Sequence, residues 1–160
     1  MKIQLLACLG LTGVFVLGAC SDRPTPEPVA TPTDTSAVQA VMPRSPAPAG
    51  ARVYFIAPTD GSTVSSPVRV EFGIEGMQLV AAGTAGENSG HHHLLVDTGL
   101  PDLGLPIPKD DQHIHYGDAS TSAELTLAPG QHTLQLLLGD HLHIPHEPPV
   151  ASSVITIIVE

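Results

Sequence analysis

All nine histidines of the chain fall between Gly90 and Pro149. They come as His91-His92-His93, His113-Ile114-His115, a lone His132, and His141-Leu142-His143-Ile144-Pro145-His146. Imidazole is the commonest protein ligand for transition metals, so this clustering points to metal chemistry. In an extended chain alternate residues face the same way, which pairs His91 with His93, His113 with His115 and His141 with His143. Those six and His146 are the candidate ligands. His132 begins an apolar face with Leu134, Leu136 and Leu138 and reads as structural. His92 shares a face with Leu94 and Val96, which leaves core packing and ligation both open. Asp97 and Asp140 are candidate carboxylates to orient the ligand rings, with Asp111 and Glu147 also nearby; such a partner fixes the tautomer and raises ligand basicity. No cysteine follows Cys20, so the ligands are nitrogen and oxygen. That set suits Cu(II) or Zn better than Cu(I).

A catalytic reading finds little to stand on. There is no Gly-x-Ser-x-Gly elbow, His-Glu-x-x-His helix or phosphate loop. Metal-activated water would need a three-histidine site with an open position. The expectation is therefore a binding protein, not an enzyme. The competing class is an envelope or adhesion module whose histidines form a structural hydrogen-bond network. Carbohydrate stacking fits poorly, because tryptophan is absent and the domain's aromatic rings are Tyr54, Phe55, Phe72 and Tyr116. The net charge of −10 excludes nucleic acid as a natural partner. The anticipated partners are a membrane and an envelope protein.

The elements that must position these side chains follow from composition. Residues 1–20 read as an export signal: Lys2 supplies a positive start and an apolar run follows, too short to span a bilayer. Leu17-Gly18-Ala19-Cys20 resembles the lipobox of bacterial lipoproteins, in which Cys20 would carry the lipid. Ser21 resembles the sorting signal for the outer membrane, facing the periplasm. Residues 21–50 are dense in proline and read as a disordered linker. The folded domain spans 51–160.

Within it, apolar and polar residues alternate over 68–74, and β-rich runs occupy 52–56, 91–96, 123–127, 132–138 and 154–159. Histidines 113 and 115 lie on a further short extended piece. Pro/Gly turns separate the runs, and no segment keeps a helical period. About seven short strands in this length imply an all-β fold, a small immunoglobulin-like β-sandwich.

Several motifs together resemble one bacterial family, the domain of unknown function numbered 4399 (DUF4399). They are Phe72-Gly73-Ile74-Glu75-Gly76-Met77, Gly90-His91-His92-His93-Leu94-Leu95-Val96-Asp97, His115-Tyr116-Gly117, the run from Pro129 through Gly130-Gln131-His132 to Gly139-Asp140, and His143-Ile144-Pro145-His146. The resemblance runs in order from Arg52 to Glu160. It implies a single exported domain and carries no settled activity, so the chemistry rests on the residues.

Overall fold

A computed structural model describes residues 42–160. The expected signal, Cys20 and the expected linker as far as residue 41 lie outside the described residues. Nine strands form: β1 (Arg52–Ala57), β2 (Thr63–Val64), β3 (Val68–Glu75), β4 (Gln78–Leu79), β5 (Ser89–Val96), β6 (His113–Tyr116), β7 (Ser122–Leu125), β8 (Gly130–Gly139) and β9 (Ile155–Val159). Among the described residues there is no helix. Seven strands have four or more residues, as the sequence implies; β2 and β4 are two-residue additions at sheet edges.

The strands make two sheets, β1-β3-β7 and β2-β9-β8-β5-β4, with β6 pairing along the same edge of β5 that β4 begins. On β3 the alternation does its work: Val68, Val70 and Phe72 point inward. They meet Leu94 and Val96 of β5, Leu134, Leu136 and Leu138 of β8, and Ile155, Ile157 and Val159 of β9 in one core. Two sheets closing one apolar layer define a β-sandwich.

β5 departs from simple alternation because both its faces are covered; every residue from Ser89 to Val96 is buried. Its inner face, with His92, Leu94 and Val96, looks into the sandwich, where the His92 ring lies 5.2 Å from that of Phe72. Its outer face carries His91, His93 and Leu95. There Leu95 and Leu137 pack under Ile107 of the long 97–112 loop, with Ala151 alongside. The loop is therefore a lid on the outer face of the larger sheet.

Residues 42–50, read from sequence as the end of a disordered linker, instead dock on the domain. Pro46 bridges Glu147, the Ala47 amide donates to the Glu147 carbonyl at 2.9 Å, and the Glu147 amide donates to the Ser45 carbonyl at 2.9 Å. The guanidinium of Arg44 donates to the Pro145 carbonyl at 2.9 Å, and also to the His146 carbonyl and the Glu147 carboxylate. Proline lacks an amide donor, but its two neighbours keep theirs, so an edge pairing survives around Pro46.

Candidate metal centre

Four of the nine imidazoles converge on the outer face of the larger sheet. His91 and His93 are two apart on β5, so both rings stand on that face. His115 on β6 sits directly across from His93 in the antiparallel register. His143 arrives from the loop after β8. Ring centroids among the four are 4.8 to 5.8 Å apart. The Nε2 atoms of His91 and His93 are 3.1 Å apart, and those of His115 and His143 are 3.2 Å apart. Ligand nitrogens around a tetrahedral metal, at about 2.0–2.1 Å each, stand roughly 3.3 Å from one another. His91, His115 and His143 each present a nitrogen within 4.8 Å of the other two. His93 joins through His91 and stands farthest from His143.

Local structure aims each ring. Gly117 keeps room for His115: a Cβ there would fall 2.3 Å from the His115 Cε1 and 2.7 Å from its Nε2. His143 is set by Asp140, whose carboxylate accepts from the amides of Leu142 at 2.8 Å and Ile144 at 3.0 Å. The Asp140 amide donates in turn to the Ile144 carbonyl at 2.9 Å. Within this tight loop His143 adopts a left-handed backbone with φ of 66°, which costs an ordinary side chain about 1 kcal/mol or more. The surrounding bonds hold it there: the His143 carbonyl accepts from the Ile107 amide at 2.8 Å, and Ile144 is fully buried.

The surroundings hold three of these rings in the unprotonated form. Burial, followed by the neighbouring His143 and His115, pushes His91 down to about 4, and burial with the other rings takes His93 to about 2. Burial likewise lowers His115, with His143 and Lys109 adding to the effect. Near neutral pH these rings are free bases with lone pairs available, the form a metal binds. The buried Nδ1 atoms of His91 and His93 have no hydrogen-bond partner.

The remaining candidates lie elsewhere. His113 is beside His115 on β6, but its Nδ1 donates to the Asp110 carboxylate at 2.8 Å. His146 is buried and its Nε2 donates to the Ser89 carbonyl at 3.1 Å, pinning the loop to β5. His141 is half-buried at the start of the loop and is not among the four converging rings. His132 is structural, as its position on an apolar strand suggests: Nδ1 donates to Asp97 at 2.7 Å and Nε2 to the Ala128 carbonyl at 2.9 Å. Both nitrogens donating favours the protonated ring, and the Asp97 bond raises its pKa. His92 is core-packed, with neither ring nitrogen partnered.

The two carboxylates expected to orient ligand rings do other jobs. Asp97 holds His132 and accepts from the Thr133 amide at 2.8 Å. Asp140 accepts from backbone amides and from the Ser45 hydroxyl at 2.7 Å, and so shapes the loop instead of touching an imidazole. Sequence reasoning missed Ser45, Arg44 and Gly117. Nothing in a proline-rich segment marks Ser45 as a partner of a residue 95 positions away.

What the fold and the site define together is an all-β sandwich with a cluster of histidines able to hold a metal ion. Residues 70–160 match the family described as Domain of unknown function (DUF4399), and the chain belongs to that family. No curated protein matches it. Among solved structures it is similar to the fibronectin(III)-like modules of Clostridium thermocellum CbhA, at 14% identity and a TM-score of 0.43, over 67% of this chain and 93% of that one.

Proposed function

We propose that the protein binds a divalent transition metal, Cu(II) or Zn, through His91, His93, His115 and His143. One observation carries this reading: His91, His115 and His143, from two strands and a loop, each bring a ring nitrogen within 4.8 Å of the other two, with His93 joined to His91 through Nε2 atoms 3.1 Å apart. The all-nitrogen donor set favours Cu(II) or Zn among the available ions. The absence of a recognisable nucleophile or phosphate loop supports a non-catalytic role in metal handling or sensing. The lipobox-like Leu17-Gly18-Ala19-Cys20 supports attachment to the outer membrane through a lipid on Cys20, with the domain facing the periplasm and open to an envelope partner.

The short Nε2 contacts also favour a second reading, an envelope module in which each close pair shares one proton as a hydrogen bond. Calorimetric titration of the metal-free full-length protein with Cu(II) and with Zn separates the two. The metal reading expects one ion per chain bound below about micromolar, with a raised melting temperature. No heat and no thermal shift would leave the hydrogen-bond network as the better account.

A further inference from the structure

The four imidazoles are not sealed in protein. His91 is fully buried beneath them, while His93, His115 and His143 line a cleft of about 300 Å³ whose other walls are Pro106, Ile107 and Lys109. A metal held by the rings would have protein on one side and this cleft on the other. A purely structural site would instead close all its positions with side chains.

Lys109 makes the cleft chemically specific. Arg44, Arg52 and Arg69 are each ion-paired, with Glu147, Glu75 and Glu71. Among the described residues Lys109 is the one lysine or arginine without an acidic partner. In a chain with a net charge of −10, Lys109 places a cation without an ion-pair partner in the lining of the same cleft as His93, His115 and His143. Its neighbours Asp110 and Asp111 are acidic; Asp110 is engaged by His113. Their negative charge beside Lys109 disfavours anions of high charge more than singly charged ones. Pro106 and Ile107 add an apolar wall, and the cleft's volume is at the small end for ligand pockets.

We infer that this cleft binds a small monocarboxylate, one oxygen ligating the metal on its open side and the other meeting the Lys109 ammonium, with a short carbon tail against Pro106 and Ile107. The inference rests on the metal reading above and deepens it. It makes the centre an exchange site, in which the metal can be reached and released through a ligand, and favours Cu(II), which accepts a fifth donor readily.

The test uses the full-length protein loaded with Cu(II), its metal content measured first. Propionate is titrated while the visible and paramagnetic resonance spectra of the copper are followed, with propionamide as the uncharged control and phosphate as the multiply charged one. Propionate should shift the spectra saturably, propionamide should not, and phosphate should bind more weakly than propionate. Lys109→Gln should weaken propionate about tenfold, whereas Arg69→Gln, at an ion pair remote from the cleft, should leave it unchanged. Copper loading without a propionate response, an equal response to propionamide, tighter phosphate binding, or an unaltered Lys109→Gln titration would each overturn this inference alone. Failure to load copper would overturn the metal reading and this inference with it.

Discussion

The Nε2 atoms of His115 and His143 meet at 3.2 Å although 28 residues separate them in the chain. β6 brings one ring to the outer face of the larger sheet, and a loop held by Asp140 turns the other back over it. Neither neighbourhood contains a site by itself; the fold makes it.

Removal of any converging ring should therefore act differently from removal of a distant one. His91→Ala, His115→Ala and His143→Ala are each expected to weaken Cu(II) or Zn by at least about 10-fold, since a lost ligand should cost no less than a lost supporting partner. His141→Ala and His132→Ala are expected to stay within a few-fold. Parallel calorimetry on the five variants reads this, and equal losses in all five would contradict it.

Gly117→Ala should disturb the centre with little damage to the fold. Its new methyl group would occupy the space of the His115 ring, and the backbone there needs no left-handed conformation. Metal affinity should fall at least tenfold while the far-ultraviolet dichroism stays that of the parent. Unchanged affinity would show that the His115 ring is not a ligand in that position.

The apoprotein should lose stability in mild acid. Burial pushes His91 and His92 to about 4 and His93 to about 2, whereas unfolded histidine titrates near 6.5. The unfolded chain thus takes up protons first as pH falls. Stability is full well above pH 6.5 and declines as pH falls below it, through about 4 for His91 and His92 and on towards about 2 for His93. The melting temperature should drop by at least about 10 °C between pH 7 and pH 5.

His92 offers a separable part of that effect. Its ring sits against Phe72 with both nitrogens unpartnered, an arrangement that costs about 1–3 kcal/mol. His92→Leu should raise the melting temperature, more at pH 5 than at pH 7, and leave metal uptake intact. A lowered melting temperature at both pH values would mean that the buried ring has a partner after all.

The docked segment 42–47 should tune the centre. The Ser45 hydroxyl and the Arg44 guanidinium grip the loop that carries His143. Ser45→Ala combined with Arg44→Ala is expected to speed amide exchange over 140–147 and to weaken metal binding a few-fold. Exchange rates matching the parent's would show that the loop holds its shape without the segment.

Much of the fold was legible because its signals are local. Alternation over 68–74 marked β3 with its inward Val68, Val70 and Phe72. The Pro/Gly turns bounded strands in about the right number. β5 was harder to read in detail, since a strand covered on both faces loses its polar side and its outward histidines look like any others. The ligand set was only partly legible for the same physical reason. Residue spacing pairs His91 with His93, but it pairs His113 with His115 and His141 with His143 equally well. Strand register and the Asp140 loop decide between them, sending His113 to Asp110 and His146 to the Ser89 carbonyl. Long-range contacts of this kind leave no trace in a local pattern.

Anomalous diffraction at the metal's absorption edge, on crystals of the loaded protein, tests the central claim most directly. The account predicts one strong peak per chain, about 2.0–2.1 Å from the Nε2 atoms of His91, His93, His115 and His143. A peak at His132 or His141, or no peak while the four rings remain in Nε2-to-Nε2 contact, would contradict it.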